Sequence, residues 1–533
     1  MNDSFFIASL LAAFVLLGAA GHAAAAAEPV AATAEPAFDI WEYEIEGNSV
    51  LPVEAIERAV QPHLGPGLSM RAVEAARNAL EAAYQQAGFV TVLVDIPEQR
   101  IDDGVVRLAV LEGKLGQVDV SGSRYHALGA IRKALPALQP GVVPNFVDAQ
   151  TQLSALNRSD DRRVSPVVKP GRLPGTVDME LQVADKLPWG GQFELNNQHA
   201  VDTTDLRASD TLRYDNLFQQ DHSLALTLQG APGAPDQSRV AVANYTVPLD
   251  NGDAWGLSAT FSNSDVETLG GTQAIGHGRT FGLRRHHSFV FGGAASTLSL
   301  GADLKLLKDR VSFGGDSFET PVHYLPFQTA YSGQWAEGRE SLQLNASLGA
   351  AWQRILQRDV DCNGTRQDQF DCKGRGLSGS FGVFRADARW TMPWGDGSLL
   401  ARLGGQAASG PLISAEQYAL GGAETVRGYF EGEVSADHGL LGSLEWRGPN
   451  LAASSTAGWS DARPVVFVDL GRGLLAQATA GQAAPPTLSS AGVGLRLNAS
   501  WLEGVLDLAW PTRSTPNTSA GDGRVHVRVV ARY

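Results

Sequence analysis

Apolar and polar positions along this chain follow two different periods, and the change of period divides it. Near the amino terminus Trp41, Tyr43 and Ile45 alternate with Glu42, Glu44 and Glu46, which predicts a half-buried strand ended by Gly47-Asn48. Ile56 and Val60 then share a helical face. Val73, Ala76, Leu80, Ala83 and Tyr84 recur at helical spacing until Gly88. Strands are expected over 89–96 and 105–111, with Asp103-Gly104 turning the chain between them. The same order returns: a strand over 116–120, helices over 131–138 and 146–156, a strand over 164–168, a Pro174-Gly175 turn, and alternating Val177, Met179, Leu181 and Val183. In the second helix Phe146, Ala149, Leu153 and Leu156 lie on one face. Two consecutive β-α-α-β-β modules, 38–115 and 116–187, form an internal repeat.

From about residue 190 to Tyr533 the helical period disappears. Leu224, Leu226 and Leu228 alternate with Ala225, Thr227 and Gln229; Leu342, Leu344 and Ala346 alternate with Gln343 and Asn345. In the last segment Val525, Val527, Val529, Ala531 and Tyr533 share one face, and His526, Arg528 and Arg532 share the other. Apolar-out, polar-in segments of about ten residues separated by turn residues are the signature of a transmembrane barrel, and about 340 residues at roughly 20 per strand give about 16 antiparallel strands. Tyr533, a terminal aromatic on the apolar face, suits a barrel insertion signal. A soluble sandwich or propeller is the competing fold, but no blade repeat is visible.

The leader changes the compartment. Phe5 to Ala27 is almost wholly apolar and ends in Ala23 to Ala27, so residues 1–27 read as a cleavable export signal, with a membrane anchor as the alternative. No positive charge other than the amino terminus precedes the apolar run. After Ala27 no apolar stretch is long enough for a spanning helix. Only 19% of residues are charged and the net charge is −15, which argues against nucleic acid as a partner, since that requires a basic stripe. The short basic cluster Arg284-Arg285-His286-His287 does not reverse this balance. On a strand His286 and His287 point to opposite faces, so they cannot share a metal ion, and a polar rim or turn is expected there.

The two cysteines, Cys362 and Cys372, flank a polar stretch. In an oxidising compartment they are expected to pair on the cell-surface side; with no histidine between them they do not fill a zinc shell. No nucleophile elbow, zinc-protease helix or phosphate loop occurs, so no enzymatic activity, metal or other cofactor is expected.

Residues 421–429 read Gly-Gly-Ala-Glu-Thr-Val-Arg-Gly-Tyr, and 467–471 read Phe-Val-Asp-Leu-Gly. The first resembles the Val-Arg-Gly-Tyr/Phe motif of the sixth extracellular loop of the BamA-like outer-membrane superfamily; the second resembles its partner motif on a late barrel strand. The paired modules resemble POTRA domains. Supporting stretches are Ile96-Pro97-Glu98-Gln99, Asp103 to Val106, Glu112-Gly113, Pro174 to Asp178, and Asn216-Leu217. Two POTRA domains before a 16-stranded barrel resemble the two-partner secretion transporters of the haemolysin-activator and haemagglutinin-exporter type.

That resemblance implies a transporter in the cell outer membrane with its POTRA domains in the periplasm. It implies as partners a secreted haemolysin- or haemagglutinin-like exoprotein with an amino-terminal secretion domain, the barrel assembly machinery and outer-membrane lipid. An insertase of the same superfamily and a passive porin are the alternatives. On residues alone Arg427 reads as a solvated surface arginine and Asp469 as an unrelated lumen aspartate. With the motifs in place, it is expected to anchor an inward-folded loop, around 416–433, to Asp469, as a solvated pair that positions more than it stabilises. Gly421, Gly422 and Gly428 would let that loop turn, with Val426 and Tyr429 in the same motif. Phe467 and Gly471 would share the face of Asp469, Gly471 leaving room for the loop. Residues 28–37, with Pro29 and Pro36, are too short for a pore-spanning plug helix, which leaves gating to the loop.

Overall fold

The computed structural model describes residues 36–533 except 102, 158, 160, 250, 270–271, 314–315, 363, 374–375, 455–458 and 478–482. The expected export signal, and most of the segment judged too short for a plug, lie outside the described residues. Two compact units form: one holds the chain up to Gly116 with 140–147 and 170–177, the other holds 117–139, 148–169 and everything from Asp178 onward.

In the first unit, strands Glu42–Glu46, Val105–Glu112 and Val92–Asp95 make a sheet in that order. The first two are parallel, a pairing that needs a long crossover. Helices Val53–Val60 and Met70–Gln86 lie within it. Val73, Ala76, Leu80 and Tyr84 are buried at the predicted helical spacing, against Val106 and Leu108 of the middle strand. Leu80 and Leu108 are fully buried, a contribution of about 2 kcal/mol each. Trp41 departs from the expected alternation. It occupies the break between strands Phe38–Ile40 and Glu42–Glu46, is 58% exposed, and covers Gly104.

The second set of elements runs strand Lys114–Ser121, helix Leu128–Lys133, helix Phe146–Leu156, and strands Arg162–Pro170 and Thr176–Asp185. Its sheet order places the last strand in the middle. The helix expected over 131–138 ends at Lys133. Pro136, which cannot donate into a continuing helix, opens a short 3-10 turn over Pro136–Leu138 instead.

The remainder closes into an antiparallel barrel of 16 strands among the described residues, matching the count expected from length. One strand is interrupted: Asp316–Tyr324 and Phe327–Glu337 pair in succession with Ala294–Phe313, separated by Leu325-Pro326. Side chains obey the two-residue period. On strand Asp461–Leu474, Val465, Phe467, Asp469 and Gly471 are buried inward, while Val466, Val468 and Leu470 are about half exposed on the outer wall. The barrel closes where Trp189–Asn196 meets Arg524–Arg532. Tyr533 finishes that seam: its backbone exchanges two hydrogen bonds with Gly191, its hydroxyl donates to Asp210 at 2.7 Å, and its ring meets Trp189 edge-on.

His286 and His287 lie inside strand Thr272–Phe291, on opposite faces. His286 faces Ser299, whereas His287 meets Asp253 beside a short turn at the barrel rim. Cys362 and Cys372 are joined in a disulfide in the long connection after strand Glu340–Ala351. Phe370, just before Cys372, packs on Tyr324 and Phe381. No helix among the described residues is long and apolar enough to cross a membrane.

Candidate functional site

Strands Gly397–Ala408 and His438–Arg447 are neighbours in the barrel, and the chain between them turns into the lumen. A small ribbon, Tyr418–Leu420 with Val434–Ala436, forms the stem of this loop. At its tip Gly421 and Gly422 adopt φ of 102° and 106°, which disfavour any side chain. A Cβ on Gly421 would stand 2.6 Å from the Phe430 carbonyl oxygen, and one on Gly422 would strike the Glu431 carboxylate. Gly428 also has positive φ, packs on Pro511 and Ala509, and donates its N–H to His526 Nε2 at 2.8 Å.

These turns aim Arg427 at the barrel wall. Its Nε donates to Asp469 Oδ2 at 2.8 Å and its Nη2 to Asp469 Oδ1 at 2.9 Å, a two-point grip that an ammonium cannot reproduce. Its Nη1 donates to Glu445 Oε2 at 2.7 Å and approaches Asp507 at 3.4 Å. The guanidinium lies 3.3 Å from the centroid of the Phe467 ring, close enough for a cation–π contact. Arg496 bridges Glu445 and Asp507 from the other side, and Arg447 also holds Glu445. Three guanidiniums thus meet three carboxylates, and the cluster is neutral.

The solvated pair expected from sequence is instead buried. Arg427 is 6% exposed, Asp469 3% and Glu445 4%. Burial changes the energetics, because a desolvated charge that loses its partner is far more destabilising than an exposed one. Around the cluster Val426 is fully enclosed, and a Cβ added to Gly471 would come within 2.7 Å of it. Tyr429 is buried with its hydroxyl donating to the Arg513 carbonyl oxygen at 2.8 Å. Cys362, Cys372 and Tyr533 are remote in sequence from this cluster and take no part in its hydrogen bonds.

Sequence reasoning missed a second attachment. Glu416, 4% exposed, sits where the loop enters the lumen. Its Oε1 accepts from Lys305 Nζ at 2.5 Å and from the Tyr324 hydroxyl at 2.8 Å; Arg385 Nη2 reaches Oε2 at 3.2 Å. The Glu416 carbonyl oxygen accepts from Arg385 and from Gln406, each at 3.0 Å. These partners come from four strands. The stretch Ser414-Ala415-Glu416 has no local mark that separates it from any polar loop. Among the described residues no group of histidine, cysteine, aspartate and glutamate could hold a metal ion.

Residues 175–497 match the family described as haemolysin secretion/activation protein ShlB/FhaC/HecB, and 38–113 match the POTRA domain of ShlB type. The outer membrane transporter CdiB of Dickeya dadantii is 24% identical over 447 residues, covering 80% of this chain and 74% of the relative. The solved structure of CdiB from Escherichia coli superposes with TM-score 0.61 at 18% identity, covering 95% of this chain and 93% of that one. BamA from Haemophilus ducreyi lacking POTRA domains 1–3 gives 0.57 at 13% identity, covering 93% of this chain and 100% of that one, a likeness of fold. A closed barrel with an inward loop, a leading POTRA module and a family match over most of the barrel agree: the chain belongs to the haemolysin secretion/activation family, as an outer-membrane transporter of two-partner secretion with POTRA structure in the periplasm.

Proposed function

We propose that this transporter exports a haemolysin- or haemagglutinin-like exoprotein carrying an amino-terminal secretion domain, and that the loop around 416–433 gates its path. Residues 116–187 act as a second POTRA domain. Each module offers sheet edges to which an extended partner segment can add as a strand, the main chain supplying affinity. The barrel assembly machinery inserts the chain by reading the terminal strand that ends in Tyr533. The observation that carries the gating reading is the two-point Arg427–Asp469 contact within a buried neutral cluster. A loop held that way keeps a fixed position beside the secretion path, and freeing it disturbs that path. Glu416 holds the same loop from other strands, so the loop has two attachments.

The test is export in trans. The chain is co-expressed with candidate exoproteins encoded beside its gene, and the supernatant is assayed for each. Secretion of one of them, abolished when 38–115 is deleted, supports the reading. Failure of every neighbouring exoprotein to leave the cell, with the transporter folded in the outer membrane, refutes the partner class.

A further inference from the structure

On one side of the barrel the outer wall carries a band of cations. Register places Arg239, Asn263, His277 and Lys308 in one transverse row across four adjacent strands, all on the outward face. The next row toward the membrane centre runs Ala241, Phe261, Arg279 and Leu306. Leu228, 63% exposed, pairs with Ala241 and extends that second row, in which Phe261 is 45% exposed. Arg239, Arg279 and Lys308 are exposed, and the rows line a groove of about 770 Å³. The Arg279 guanidinium stands 6.0 Å from the centroid of the Phe261 ring. A different sector of the wall, near the same end, instead presents Trp352 and Phe384 outward. The basic rows lie toward the strand ends that bear the long loops, which is the outer leaflet in this family's orientation.

We propose that this patch binds a phosphorylated glycolipid of the outer leaflet through two phosphates, with its acyl chains lying on Leu228, Phe261 and Leu306. Arginine grips a phosphate in two-point fashion and lysine attracts it as a point charge. Arg239 and Lys308 lie three strand spacings apart, about 14 Å. One phosphate cannot bridge that span, so a headgroup with two phosphates fits and a monophosphate lipid does not. Asp236 pairs with Arg239 at 2.8 Å, but both are exposed, so a lipid phosphate competes with it readily.

The experiment uses the full chain purified in detergent and native mass spectrometry. It is incubated separately with bis-phosphorylated lipid A, the same lipid after phosphatase treatment, phosphatidylglycerol and inorganic phosphate. Retention of intact lipid A alone is the expected result. Replacing Arg239, Arg279 and Lys308 together by Ala should weaken it roughly a hundredfold, at about fivefold per interfacial cation. Arg472→Ala, which removes an exposed outward cation from another sector, should change nothing. Equal retention of dephosphorylated lipid A or of phosphatidylglycerol by the wild-type chain overturns the proposal without any variant. So does saturation by inorganic phosphate, undiminished binding in the folded triple variant, or an equal loss in Arg472→Ala.

Discussion

Replacing Arg427 by Ala removes the cation that faces three carboxylates. Asp469 then loses both guanidinium bonds and keeps only the Ser443 hydroxyl at 2.6 Å and the backbone N–H of residue 427. Glu445 and Asp507 retain Arg496, and Glu445 retains Arg447 as well, so three buried carboxylates share two cations. Breaking a buried ion pair from one side destabilises by about 3–5 kcal/mol. The loss falls on the docking of the loop and not on the barrel, whose strand ladder does not pass through Arg427. A change of about 3 kcal/mol shifts the docked-to-undocked ratio roughly 150-fold. Asp469→Ala leaves Arg427 with Glu445 and Asp507, so its effect should be smaller but similar in kind. Because the two residues share one interaction, the double variant should fall short of the sum by about 1–3 kcal/mol. Arg427→Lys should recover little, since one ammonium cannot make both bonds. The assay pairs two readouts: exported partner in the supernatant normalised to transporter in the membrane, and labelling of Val426→Cys by an impermeant maleimide. Val426 is fully enclosed when the loop is docked, so labelling reports release. Export should fall and labelling rise while heat-modifiability of the barrel stays unchanged. Wild-type export from Arg427→Ala, or strict additivity of the two substitutions, would refute the anchor.

Glu416→Gln should also loosen the loop, because Lys305 and Arg385 keep their charges and lose their carboxylate; raised maleimide labelling checks it, with barrel heat-modifiability as the folding control. Gly471→Ala should disturb docking by about 1–3 kcal/mol, because its methyl meets Val426, and Val426→Ala should restore export by vacating that space. Deleting Val525 to Tyr533 should sharply lower outer-membrane abundance, since it removes the strand that closes the barrel against Trp189–Asn196; undiminished heat-modifiable barrel would contradict this. Burial pushes the Asp185 carboxyl up, but the N–H groups of Tyr125 and Arg124, with His126 and Ser123, more than offset this and hold it down to about 2. A depressed carboxyl stabilises above its unfolded value, so the 123–127 turn should loosen as pH falls from about 4 toward 2. Amide exchange at Tyr125 should show that window, and Asp185→Asn should abolish it.

What the chain alone determined is what has a local cause. A two-residue period states which side chains share a face whatever the strand's neighbours, so the wall pattern of Val466, Val468 and Leu470 against Phe467 and Asp469 was legible, as was a strand number set by length. Helical spacing likewise marked Val73, Ala76, Leu80 and Tyr84 as a buried face. Local signals also misled where a nearby residue overrode the pattern: Pro136 ended a helix whose apolar spacing continued to Leu138, and the break at Trp41 released it to the surface. Tertiary structure decided the rest. Arg427 is 42 positions from Asp469, 18 from Glu445 and 80 from Asp507, and only barrel closure sets them around one guanidinium. Each carboxylate alone reads as an ordinary inward polar residue, because the property that matters, desolvation by a loop arriving from elsewhere, belongs to no single strand. Glu416 is the extreme case. Its partners lie on strands beginning at Ala294, Asp316, Phe381 and Gly397, and no spacing in the sequence relates them; their convergence is a consequence of strand order and of where the loop enters the lumen.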